Sequence, residues 1–157
     1  MSALRAFEGA CHCKAIGFVY RTAHDPGEWN VRACQCNFCR AHAALTASDP
    51  QGVLEFMEHD RNVMRLYRFG QKTADFLICS SCGVYIGAAM KSERGRFGII
   101  NTRALWALSL SLREPAPMNY EREQAAERTG RREERWTPVT GEVPLGRMLR
   151  DSAGVRT

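Results

Sequence analysis

The sequence predicts a mainly β, single-domain protein, and three observations carry that expectation. Short runs rich in β-branched and aromatic residues recur between turn residues through the middle of the chain. The 157 residues suffice for one domain with a hydrophobic core of its own. Seven cysteines gather as 11-CHC-13, 34-CQCNFCR-40 and 79-CSSC-82, beside those runs.

The elements follow in order. In 15-AIGFVYR-21, Ile16, Phe18 and Tyr20 alternate onto one face of a strand, and His24, Asp25, Pro26 and Gly27 close it with a turn. A second short strand is expected over 29-WNVRA-33, running into the triple-cysteine stretch. The segment 38-FCRAHAAL-45 has the composition of a brief helix or turn, ended by Asp49, Pro50 and Gly52. Strands are expected over 53-VLEFM-57, 64-MRLYRF-69, 74-ADFLIC-79, 84-VYIGAAM-90 and 96-RFGII-100, set apart by turn residues such as Gly70 and Gly95. The run 106-WALSLSL-112 alternates Trp106, Leu108, Leu110 and Leu112 against Ala and Ser, as a further strand would, until Pro115 and Pro117 break it. Beyond residue 114 the chain becomes charged, the composition of a peripheral helix and tail. There is neither a repeat nor a second domain.

Composition excludes several classes. With 45% hydrophobic and 25% charged residues the chain has the usage of a globular protein, not a disordered one. The amino terminus, MSALRAFEGACHCKAIG, lacks a signal peptide's apolar core, and no apolar run approaches the roughly 18 residues of a membrane span. A cytoplasmic protein without a membrane partner is expected. In that reducing compartment clustered cysteines point to metal or redox chemistry before structural disulfides. The net charge of +5 raises the question of nucleic acid. Much of the basic charge, however, sits in 121-EREQAAERTGRREER-135, where Glu123, Glu127 and Glu134 interleave with Arg128 and Arg131. That pattern is a solvated helical face and argues against a nucleic-acid arm.

The cysteines carry the chemistry. Two loops that each offer a CxC or CxxC pair can share one zinc, and Cys11, Cys13, Cys79 and Cys82 fit that plan. The alternatives are a redox dithiol at 79-CSSC-82 or free core thiols, but 74-ADFLICSSCGVYIG-87 has the pattern strand, knuckle, strand and not the βα setting of a redox motif. Cys34, Cys36 and Cys39 offer three ligands from one tight loop where zinc takes four. Either the fourth position is open, as in catalytic zinc, or a protein group closes it, His42 being the best local candidate. An open centre with three thiolates is poor at acidifying water and suits a soft sulfur guest, so a thiol substrate is expected, held as a nucleophile towards a small electrophile such as an aldehyde. Arg32 and Arg40 flank the loop and could meet a carboxylate bidentately.

The order 9-GACHCKAIGF-18, 34-CQCNFCR-40, 79-CSSCG-83 resembles the glutathione-dependent formaldehyde-activating enzyme family, which includes centromere protein V, over residues 7 to 102. The resemblance implies small twisted sheets in a β-tent architecture similar to the Mss4-like fold. It implies structural zinc on Cys11, Cys13, Cys79 and Cys82 and catalytic zinc on Cys34, Cys36 and Cys39, hence two zinc ions per chain. The implied reaction is addition of glutathione to formaldehyde, giving S-hydroxymethylglutathione, formally the reverse of a carbon–sulfur lyase step. Residues 1–113 would then form the zinc-binding domain, with 114–157 a charged C-terminal helix and tail. The chain departs from the family pattern at 40-RAHAALTASDP-50, which lacks the expected Gly-rich stretch. The expectation is a zinc-dependent carbon–sulfur lyase-type enzyme acting on glutathione or a similar thiol and a small aldehyde. Its rival is a non-enzymatic module with two structural zincs and a basic surface for nucleic acid or protein.

Overall fold

A computed structural model describes residues 2–107 and 111–141. The strands are β1 (Arg5–Ala10), β2 (Ile16–Thr22), β3 (Arg32–Cys34), β4 (Thr46–Ala47), β5 (Val53–Glu58), β6 (Met64–Tyr67), β7 (Asp75–Cys79), β8 (Tyr85–Ser92), β9 (Gly95–Asn101), β10 (Ala116–Met118) and β11 (Thr137–Thr140). Among the described residues two short α-helices accompany them, α1 (Asn37–Ala41) and α2 (Ala125–Arg135). The protein is mainly β, as the sequence predicts. No helix among the described residues is long and apolar enough to cross a membrane.

The strands form two leaves. In one, β1, β2 and β5 pair antiparallel in that order; in the other, β6, β7, β8, β9, β4, β3 and β10 follow one another. The seam is β11, parallel to β5 through Val139 opposite Leu54 and antiparallel to β9 through Thr137 opposite Gly98. Gly98 leaves the space this requires, since a Cβ there would lie 2.9 Å from both Ala88 O and Val139 Cγ2. The sequence places a helix and tail beyond residue 114. The helix is α2, but the chain then returns through β11 into the middle of the sheet. Thr137 and Val139 are buried and alternate with Pro138 and Thr140, a pattern four residues long whose proline argues against an interior strand.

The core lies between the leaves. Phe18, Leu54, Phe56, Leu77, Ile86 and Ile100 are buried there, as is Trp29, whose ring meets Phe7 and Tyr20 edge-on at 4.9 and 5.1 Å. Strand β1 gave no alternation because only its last two residues, Gly9 and Ala10, are buried. The strand expected over 106–112 is not seen at Trp106, which is exposed just after a lone bridge from Leu105 to Gly9. Leu108 and Leu110 lie outside the described residues.

Candidate metal centres

The turn between β1 and β2 and the turn between β7 and β8 are built alike. The first carries Cys11 and Cys13, the second carries Cys82 just after Cys79 ends β7, and in each the second cysteine is followed by a residue in the left-handed region, Lys14 at φ 65° and Gly83 at φ 81°. Lys14 N–H donates to Cys11 O at 3.1 Å, and Gly83 N–H to Cys79 O at 2.8 Å, so each turn folds back and presents its sulfurs together. The result is one group in which the sulfurs of Cys11, Cys13, Cys79 and Cys82 all lie within 4.8 Å of one another. Cys13 Sγ stands 3.7 Å from Cys11 Sγ and 3.6 Å from Cys79 Sγ, far beyond the roughly 2.05 Å of a disulfide.

Without a cation this group is electrostatically awkward. Burial pushes the Cys11 thiol up to about 12, against the Ile16 N–H that donates to its sulfur. At Cys82 burial is outweighed by hydrogen bonds from the backbone of Cys13 and Val84 and from the neighbouring sulfurs, which leave it at about 6. A bound metal ion removes the conflict, because a coordinating thiol is deprotonated outright.

The second group holds three sulfurs, those of Cys34, Cys36 and Cys39, again within 4.8 Å of one another. Strand β3 delivers Cys34. Cys36 caps α1, its sulfur accepting the Cys39 N–H at 3.4 Å, and Cys39 itself is buried in the helix. Hydrogen bonds from Cys34 and Cys39 draw the Cys36 thiol down to about 2, while sharing with the other two sulfurs raises Cys39. Three thiols so placed cannot all ionise unaided, which is the condition a cation relieves.

Phe38 anchors this loop. Its ring meets Phe76 at 4.8 Å, Phe69 at 5.0 Å and Tyr85 at 5.1 Å. His42, the sequence candidate for a fourth ligand, is not in the group. Its ring lies against Phe38 at 4.5 Å and Tyr85 at 5.6 Å, so the helical turn that would have brought it to the sulfurs carries it into the aromatic cluster. Among the described residues no fourth ligating side chain joins the three sulfurs.

Cys34, Cys36 and Cys39 border a cavity of about 460 Å³; none of the four cysteines in the first group does. Phe38, Phe69 and Phe76 give it an apolar wall. Arg32 lines it and donates to Ser48 Oγ at 2.6 Å, whereas Arg40 is exposed and lies outside the lining. A basic wall comes from α2 and the segment before it, through Tyr120, Arg128, Arg131 and Arg132. In sequence this charged run has the pattern of a solvated face. Glu127 and Glu134 are indeed exposed, but Arg132 is buried and Arg131 is clamped by Glu123 through Nε at 2.8 Å and Nη2 at 2.9 Å. Trp136 ends the helix as a buried anchor, and the Arg132 guanidinium lies 4.6 Å from its ring centre.

The family model for the glutathione-dependent formaldehyde-activating enzyme matches residues 6–114. No curated protein matches the chain. Among solved structures, the crystal structure of a Rhodobacter sphaeroides protein is similar to it, with 27% identity and a TM-score of 0.46 over 65% of this chain and 90% of that one. The matched residues include all seven cysteines and stop short of α2 and β11. With most of its length and both cysteine groups inside the match, the chain belongs to the glutathione-dependent formaldehyde-activating enzyme family.

Proposed function

We propose that this protein is a zinc-dependent enzyme that holds glutathione or a similar thiol at the centre formed by Cys34, Cys36 and Cys39, and promotes its reversible addition to formaldehyde or another small aldehyde. The observation that carries this reading is the asymmetry of the two groups: four sulfurs gathered away from the cavity, and three bordering it. Zinc–sulfur bonds of about 2.3 Å give a tetrahedral edge of about 3.8 Å, and the contacts of 3.6 and 3.7 Å in the first group fit a closed structural zinc. At the second group, bound zinc would supply the Lewis acidity that keeps an incoming thiol ionised near neutral pH.

The chain's own residues would do the rest. The loop between β3 and α1, pinned by Phe38, fixes the three sulfurs, and the phenylalanine wall limits water around the reacting carbon. The basic wall suits the carboxylates of glutathione. In the addition, the thiol sulfur bonds to the carbonyl carbon, the C=O π pair moves to oxygen, and the proton lost from the thiol ends on that oxygen. No net oxidation occurs, and the reverse step is a carbon–sulfur cleavage. A cytoplasmic setting, reducing and rich in glutathione, accords with seven free cysteines.

The test is exchange NMR on zinc-replete protein with isotope-labelled formaldehyde and glutathione. Formation of S-hydroxymethylglutathione should exceed its spontaneous rate and fall to that background in Cys36→Ser. A wild-type rate equal to background would overturn the enzymatic reading in favour of the module with two structural zincs.

A further inference from the structure

The cavity beside Cys34, Cys36 and Cys39 is lined by four arginines, and they are not equivalent. Arg131 has its fork filled by Glu123 and its face laid on Tyr120, 3.7 Å from the ring centre. Arg128 donates to Tyr120 O at 2.6 Å and also approaches Glu123, at 3.6 Å. Arg132 differs. It is only 7% exposed, yet no carboxylate among the described residues pairs with it. Its Nη1 donates to Thr73 Oγ1 at 2.7 Å and its guanidinium lies 4.6 Å from the Trp136 ring centre, which fixes its plane. Its Nε, like that of Arg128, is buried without any hydrogen-bond partner, but Arg128 Nε has the Glu123 carboxylate at 3.6 Å and Arg132 Nε has none among the described residues. Arg32, the remaining cation of the lining, donates to the Ser48 hydroxyl and likewise has no carboxylate partner among the described residues.

A buried guanidinium with an unfilled edge is costly to a folded protein, and it is tolerated where an anion completes it. The planar fork selects a planar, bidentate anion, and a carboxylate fits it. Burial, together with the charges of Arg131 and Arg128, draws the Arg132 pKa down to about 10, which still leaves it charged at neutral pH.

We propose that Arg132 is a specificity-determining residue that receives a carboxylate of the thiol substrate, so that α2 selects acidic thiols over neutral ones. This rests on the thiol-binding reading above. It also assigns a role to a helix beyond the family-matched residues 6–114, so the preference belongs to this chain's own C-terminal segment.

Calorimetric titration of the zinc-loaded protein with mercaptohexanoate and with mercaptohexanol compares a charged and a neutral thiol of one length. Wild type should bind the carboxylate at least about 10-fold more tightly, the size expected for hydrogen bonds to a charged group. In Arg132→Gln that gap should close while the affinity for mercaptohexanol stays unchanged, which also shows the variant to be folded. Should that variant not fold, Arg132→Lys decides, because the charge stays and the fork is lost; the gap should narrow several-fold. Equal wild-type affinities, or a gap that either variant leaves intact, would overturn the proposal. Failure of both thiols to bind wild type brings down the thiol-binding reading itself, and this inference with it.

Discussion

The sulfurs of Cys13 and Cys79 lie 3.6 Å apart across 66 positions of sequence. That contact ties the turn before β2, in one leaf, to the end of β7, in the other. A metal bound there would cross-link the two leaves, whereas one bound at Cys34, Cys36 and Cys39 would hold a single loop and its helix.

Metal content is the first consequence. Zinc-replete protein should carry about two zinc ions per chain, one per sulfur group. Elemental analysis checks this. A reproducible ceiling of one zinc, or iron with visible absorption, would contradict two zinc centres.

Mutation should separate the groups. Cys13→Ser should lower the thermal midpoint sharply, because structural zinc binding is coupled to folding, with apparent free energies of about 10–16 kcal/mol in small zinc peptides, and part of that would be lost here. Cys36→Ser should leave the midpoint nearly unchanged and abolish thiol binding. Equal thermal losses in the two variants would mean that the centres do not divide the labour in this way.

Phe38 should matter through the loop it pins. Phe38→Ala removes contacts with Phe69, Phe76 and Tyr85 and should cost stability at or below the lower end of the about 3–5 kcal/mol seen for fully buried phenylalanine, since Phe38 is half-buried. Zinc affinity at the three-sulfur centre should fall with it. Chelator competition reads this directly, and an unchanged affinity would show that the loop holds its shape without the ring.

Glu123 gives a pH signature. Hydrogen bonds from Arg131, opposed by burial and aided by the charges of Arg131, Arg128 and Arg132, hold its carboxyl below the ordinary value of 4.5. A lowered folded-state pKa contributes stability that is complete above about pH 4.5 and is lost as pH falls through the folded value. Glu123→Gln should therefore cost about 1.5–3 kcal/mol near neutrality, with the difference from wild type shrinking in acid. Urea unfolding at both pH values checks it; a difference independent of pH would remove the ion pair from the account.

Much of this molecule was legible in the sequence, and the exceptions share a cause. The strand at 53-VLEFM-57 announces itself because one face meets the core and period-two alternation results, whereas 15-AIGFVYR-21 shows as an apolar run, its strand being buried on both faces from Ile16 to Tyr20. The cysteine spacings indicated two groups because thiolates must converge on a metal whatever surrounds them. Spacing alone left His42 open as a fourth ligand because a helical turn fixes a direction and not a neighbour, and Phe38 and Tyr85 claim its ring. The run of Glu and Arg around α2 hid Arg132 for a similar reason. Charge alternation describes a solvated face well, but one arginine per turn can face a cavity without disturbing the pattern. Strand β11 escaped because its hydrogen-bond partners, β5 and β9, lie far back in sequence and only the folded sheet reveals the gap it fills.

The central claim is that the metal at Cys34, Cys36 and Cys39 keeps a coordination position for a substrate thiol. Zinc-edge X-ray absorption of the protein, with and without glutathione, tests it most directly. The account predicts an average of about three and a half sulfur ligands per zinc in the free protein, rising to about four on addition, all at about 2.3 Å. A sulfur count that glutathione leaves unchanged, with a nitrogen ligand that disappears in His42→Ala, would show a centre closed by the protein and contradict the account.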